Sequence, residues 1–198
     1  SVSNVLIQSS INSFGSIAMA GSTASANVEG FVYNAMNAVY QTALSFTSQN
    51  YGAGKMNRVT KILLYCLGLV VMVGAVMGGG AVLIGPKLLQ IYSSDPEVIS
   101  YGMMRMRIIN GSYFLCGIMD TMVGGLRGLG YSVVPMLVSL TGACLFRVVW
   151  IFSVFAMHRT LTTLYISYPV SWIITFTAHI ICYIVIRKRI AARRKPRD

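Results

Sequence analysis

The sequence predicts an all-α integral membrane protein, a bundle of six transmembrane helices, and three observations carry that expectation. Hydrophobic residues make up 55% of the 198-residue chain and charged residues only 11%, whereas a soluble domain carries about 25% charged residues. Mean hydropathy is +0.66. The apolar residues also fall into six long segments, roughly 1–20, 26–50, 60–84, 98–123, 133–156 and 163–186, and most are near the length that crosses a hydrocarbon core.

The first segment is short and polar for a span, with Ser3, Asn4, Gln8, Ser9, Ser10, Asn12 and Ser13. It reads as the later part of a longer helix. The chain starts at Ser1, without the basic start that a signal peptide requires, and is expected to lack its N-terminal portion. Gly21-Ser22-Thr23-Ala24 is expected to link the first segment to the second, residues 51–57 the second to the third, and 85–97 the third to the fourth. The fourth segment carries Arg105, Arg107 and Asp120 and ends in a glycine-rich turn, Gly124-Gly125-Leu126-Arg127-Gly128-Leu129-Gly130. Charges at that depth are expensive and face a bundle interior or a wet cavity. The expected domain is thus a six-helix lobe over 1–186, followed by a basic tail over 187–198.

The formal net charge of +11 raises the question of a polyanionic partner. Position answers it, because seven of the 16 Lys and Arg residues lie between Arg187 and Arg197, directly after the last apolar run. Such a cluster reads as an anchor on anionic headgroups of the lipid bilayer, not as a nucleic-acid surface. A cytoplasmic C-terminus puts Lys55, Arg58, Lys61 and Arg127 on the same side, and leaves Lys87, Arg159, Asp95 and Glu97 opposite. That is the positive-inside pattern of a multi-pass protein of the cell membrane.

Cys66, Cys116, Cys144 and Cys182 lie in four different segments, and His158 and His179 lack partners at ligand spacing. The cysteines read as small buried hydrophobes, and neither a metal site nor a cofactor is expected. No nucleophile–base pair is apparent, so the chain is not read as an enzyme. Gly52-Ala53-Gly54-Lys55 lacks the spacing of a phosphate-cradling loop and reads as a helix-ending turn. Gly74-x-x-x-Gly78 and Gly124-x-x-x-Gly128 read as close helix packing.

Two of the five acidic residues, Glu29 and Asp120, fall within the spans. Helical spacing puts Glu29 on one face with Tyr33, Asn37 and Tyr40, and Asn27 and Asn34 lie nearby. Oxygens of that set suit a cation, and the carboxylate suits a proton; the alternative is a helix-start carboxylate stabilised by the helix dipole. Asp120 shares a face with Tyr113 and Cys116, and is read either as a coupling carboxylate or as a structural partner of Arg127. Arg107 lies about 20 Å along the axis from Asp120, too far for direct pairing, and a cluster with Glu29 and with Arg147, at similar depth, is expected instead. These arginines are read as ion-pair or cavity residues.

Several stretches together resemble the C-terminal half of the multidrug and toxic compound extrusion (MATE) family. They are Gln8-Ser9-Ser10-Ile11-Asn12-Ser13-Phe14-Gly15, the helix ending Gln49-Asn50-Tyr51-Gly52-Ala53-Gly54-Lys55, Leu126-Arg127-Gly128-Leu129-Gly130 followed by Pro135-Met136, and Gly142-Ala143-Cys144-Leu145-Phe146-Arg147-Val148-Val149-Trp150. The resemblance implies one lobe, helices seven to twelve, of a twelve-helix antiporter that exchanges H⁺ or Na⁺ for bulky, often cationic organic compounds. The partner lobe, the first six helices, would then be missing. The family's coupling carboxylates in this lobe lie on helices seven, eight and ten. The helix-seven position falls at or before Ser1, helix eight offers Asn27 and Glu29, and helix ten offers Asp120, with some subgroups placing their acid nearer Cys116. Glu29 is the stronger coupling candidate on the sequence. The remaining readings are a lipid-linked saccharide flippase of the same two-lobe architecture and a non-transporting membrane scaffold.

Overall fold

The computed structural model describes residues 2–193, and every regular element among them is helical. Its elements are α1 (Val2–Asn12), α2 (Ser16–Gly52), α3 (Met56–Leu83), the short α4 (Gly85–Gln90), α5 (Pro96–Ile109), a 3₁₀ turn (Asn110–Ser112), α6 (Tyr113–Gly128), α7 (Val133–Ser139), α8 (Phe146–Trp150) and α9 (Leu161–Arg193). π-helical stretches at Leu140–Leu145 and Ile151–Phe155 flank α8 and join it to α7 in one rod. With α5, the 3₁₀ turn and α6 counted as one rod, six rods form the bundle among the described residues.

Three of these rods are, by length and composition, able to cross a membrane: Met56–Leu83, Val133–Phe155 and Leu161–Arg193. The longest rod, α2, is not one of the three. α2 has 37 residues, about 55 Å at the α-helical rise, which exceeds the roughly 30 Å of a hydrocarbon core. It holds Glu29 and a series of serines, threonines and asparagines. It packs against α3, α5 and α6 and forms the spine of the bundle.

The first boundary differs from the expectation. The chain breaks at Gly15, whose φ of 102° is open to glycine and closed to most side chains. It then runs as helix straight through Gly21-Ser22-Thr23-Ala24, the stretch expected to be a link. Gly21 is there for proximity: a Cβ on it would lie 2.5 Å from the Val98 carbonyl oxygen and 2.8 Å from the Gly102 nitrogen. The missing side chain lets α2 and α5 cross backbone to backbone.

The other turns follow local chemistry. Gly54 (φ 75°) and Gly130 (φ 88°) end α2 and α6. Asp95 caps α5, its carboxylate accepting from the Glu97 amide at 2.9 Å, with Pro96 in the first turn where no amide is needed. The two small-xxx-small pairs serve packing, as expected: Gly74 and Gly78 lie on Phe114 and Asn110, and Gly124 and Gly128 lie on Tyr40 and Thr47 of α2.

Lys55, Arg58, Arg127 and Arg187 gather at one end. There Tyr51, Met56, Leu129, Tyr131, Ile186 and Ile190 pack as one apolar cluster, and Arg187 donates to the Met56 carbonyl at 3.3 Å. α9 continues as helix to Arg193, so the first basic residues after 186 extend a helix; residues 194–198 of the expected tail lie outside the described residues. The opposite end is held by Ala24, Val28, Ala81, Leu89, Met103 and Met106.

Candidate functional site

All six rods contribute to the bundle, and five of them wall one polar cavity of about 340 Å³. Glu29 and Tyr33 of α2, Arg105 of α5, Asp120 of α6, Arg147 of α8 and Tyr168 of α9 line it. Asn4 of α1 joins the wall, as do Tyr113, Cys116 and Trp172.

Glu29 is saturated. Arg105 donates from Nε to Glu29 Oε1 at 2.8 Å and from Nη2 to Oε2 at 2.9 Å. Ser25 Oγ donates to Oε1 at 3.1 Å, and Ser22 Oγ accepts from Arg105 Nη1 at 2.8 Å. Glu29 and Arg105 are 6% and 8% exposed, so the fork-on-fork geometry is what makes burial of both charges tolerable. The Arg105 guanidinium also lies 5.6 Å from the Tyr165 ring centre and 5.9 Å from that of Tyr168.

Arg147 is equally buried, at 8% exposure, but no carboxylate among the described residues meets it. Its Nε donates to Ser171 Oγ at 3.0 Å, a hydroxyl whose own proton goes to the Tyr168 carbonyl at 2.7 Å. The guanidinium lies 4.2 Å above the Tyr168 ring, a cation–π contact. Trp172 packs edge-on to both Tyr113 and Tyr168, with centroids 5.6 and 5.9 Å apart. Pro169 removes one main-chain bond of α9 between these aromatic residues.

Asp120 is half-buried on this wall and has neither an ion pair nor a hydrogen bond among the described residues. The expected partner, Arg127, is exposed and donates instead to Tyr40 Oη at 2.8 Å. Seven helical positions separate Asp120 and Arg127, about 10 Å of rise, and that distance holds them apart.

The cavity brings together Glu29, Tyr33, Tyr113, Asp120 and Arg147 from the sequence candidates. It excludes others. Arg107 is exposed, and the pairing expected of it belongs to Arg105: two residues along a helix turn a side chain by about 200°, so one arginine faces in and the other out. Asn27 and Asn34 are exposed and line a separate depression with Gly30, Phe31 and Tyr92. Asn37 lines neither. Ser22, Ser25, Tyr168 and Trp172 were not singled out by sequence, and Arg105 was noted as an intramembrane charge without being given a partner. Their signal was present: Ser22, Ser25 and Glu29 recur at the three- and four-residue steps of one helix face, which goes unseen when 21–24 is read as a link.

A family model for MatE matches residues 1–153. The chain belongs to the MatE family. The motif resemblance drawn from Gln8–Gly15, the glycine-ended helices and the Arg147 segment therefore stands. Among solved structures, the chain is similar to the crystal structure of the Vibrio cholerae MATE transporter VcmN in the bent form, with a TM-score of 0.84 and 20% identity. The alignment covers 95% of this chain and 43% of that one, so the chain spans under half the length of VcmN. At that identity the likeness is one of fold: an all-α membrane bundle of the MATE type. No curated protein matches the chain.

Proposed function

We propose that the chain forms the C-terminal six-helix lobe of a secondary-active antiporter that exchanges H⁺ or Na⁺ for bulky organic compounds. In this reading it sits in the cell membrane with its basic end in the cytoplasm, and a second six-helix lobe completes the pathway. One observation carries the reading: among the described residues Asp120 stands unpaired on the wall of an aromatic-lined cavity inside a membrane bundle. A carboxylate left without a partner at such depth is costly, and taking up a proton or Na⁺ removes the cost. Binding that differs between two lobe arrangements is what couples an ion to motion.

The geometry also orders the two carboxylates differently from the sequence. Glu29 already accepts three hydrogen bonds, two of them from a guanidinium that offsets its charge, so in this reading the coupling role falls to Asp120 and the structural role to the Glu29–Arg105 pair. A flippase for a lipid-linked diphosphate is less well supported, because the two arginines of the cavity are offset by two carboxylates. The test is Asp120→Asn (D120N) in the full-length protein, read as gradient-driven efflux of a fluorescent organic compound at matched membrane expression. Loss of gradient-dependent efflux is expected; wild-type efflux overturns the assignment.

A further inference from the structure

We propose that the groove between α2, α3 and α4 is a phospholipid site, in which one acyl chain lies along α3 and an anionic headgroup meets Lys87. The proposal rests on the membrane bundle and not on the transport reading.

The groove has a volume of about 400 Å³, in the range of small-molecule sites. Phe31 and Val32 of α2, Val76 and Gly80 of α3, Leu88 of α4 and Ile91 just beyond it contribute to its lining. It shares no residue with the polar cavity, and it lies toward the end of the bundle away from Lys55, Arg58, Arg127 and Arg187. Phe31 and Ile91 line it while 69% and 76% exposed, so the groove opens to the outside of the bundle, where the bilayer is.

The sequence of α3 keeps this space open. Gly78, Gly79 and Gly80 follow one another there, each less favourable in a helix than alanine. Gly78 is needed for the close approach to Asn110, whereas a Cβ on Gly80 would meet nothing within 4 Å. The missing side chain of Gly80 therefore deepens the groove and admits no neighbouring helix.

Polarity along the groove changes in one direction. The deep end, at Val32 and Val76, is wholly apolar, and from there to Ile84 the helix rises about 12 Å, room for an extended hydrocarbon chain. Tyr92 stands at the mouth and also lines the depression of Asn27 and Asn34. Lys87 is exposed. It comes three residues after Ile84 and four before Ile91, so it flanks the side of α4 that faces the groove. A tyrosine at the rim and a lysine whose stem runs over apolar surface to an interfacial charge are suited to a headgroup layer. An acyl chain that ends in a phosphate complements both the apolar bed and the cation above it. A neutral apolar ligand would use the bed alone.

The test uses phosphatidylglycerol with a diazirine on one acyl chain, photo-crosslinked to the full-length protein in phosphatidylcholine bilayers and mapped by peptide mass spectrometry. The exposed apolar faces at Phe152 and Ile181 report ordinary lipid contact. Labelling around Phe31 and from Val76 to Ile84 should exceed that of those faces. Added unlabelled phosphatidylglycerol should abolish the excess, and added phosphatidylcholine should not. Gly80→Leu (G80L), which fills the groove, should bring its labelling down to the level of the reference faces. Lys87→Gln (K87Q) should weaken binding of the probe by about fivefold, the contribution of one cation at a charged headgroup. Equal wild-type labelling of groove and reference faces overturns the proposal, as does a groove left unlabelled because a protein surface covers it. Loss of labelling in G80L with unchanged binding in K87Q overturns the phospholipid in favour of a neutral apolar occupant. If G80L does not fold, the wild-type competition and the K87Q shift decide in the same way.

Discussion

At the scale of residues, the Glu29–Arg105 contact holds α2 to α5 inside the bundle. Removing one partner leaves the other charge buried and uncompensated, at a cost of about 3–5 kcal/mol. Arg105→Gln is therefore expected to lower the melting temperature of the detergent-solubilised protein and its folded yield. The double variant Glu29→Gln/Arg105→Gln, which buries no charge at that point, should recover much of the loss. A thermal-shift series over the two singles and the double measures this, and simple additivity would contradict the pairing. The sequence made Glu29 legible as an intramembrane acid. It did not reveal that its partner was Arg105 rather than Arg107, because that choice depends on which helix face meets α2. The face is set by Gly102, one turn before Arg105, lying against Gly21. Asp120 was legible for the same reason as Glu29. Its isolation was not, since only coordinates show that Arg127 turns to Tyr40.

At the scale of elements, glycines in α2 divide into two kinds. Gly21 leaves no room for a methyl group, whereas Gly30 has nothing within 4 Å of where one would sit. Gly30→Ala should stabilise the helix by about 0.5–1 kcal/mol, because alanine loses less freedom on folding. Gly21→Ala should destabilise the protein by forcing α2 off α5. Melting curves of the two variants should move in opposite directions, and a shift of the same sign in both would refute the close crossing. Element existence was readable from hydrophobic segments alone, since six apolar stretches became six rods. The α1–α2 boundary was not. Gly21 and Gly15 look alike in a sequence, yet one permits a close crossing and the other a positive φ, and only the second ends a helix. The polar content of 1–20 also gave no periodic signal strong enough to choose between them.

At the scale of the whole molecule, the charge asymmetry has a geometric counterpart. Lys55, Arg58, Arg127 and Arg187 fall at the end of the bundle where α2, α6 and α9 finish, while Asp95 and Glu97 lie in the turn and first helical turn at the other. A cytoplasmic basic end predicts that a cysteine placed at Ser93 reacts with an impermeant maleimide in intact cells. One placed at Asn57 should react only after permeabilisation, both in a background lacking the four native cysteines. The reverse pattern would invert the orientation. Finally, the widened turn at Leu140–Leu145 comes directly before Arg147. A π turn holds one residue more than the α ladder needs, so it resembles a tolerated insertion. A descendant that lost that residue would close the widened turn back to an α ladder while both flanks kept their facing, so its arginine would still reach the cavity. Along the chain the two sequences would align only across a one-residue gap; around the cavity nothing would have moved.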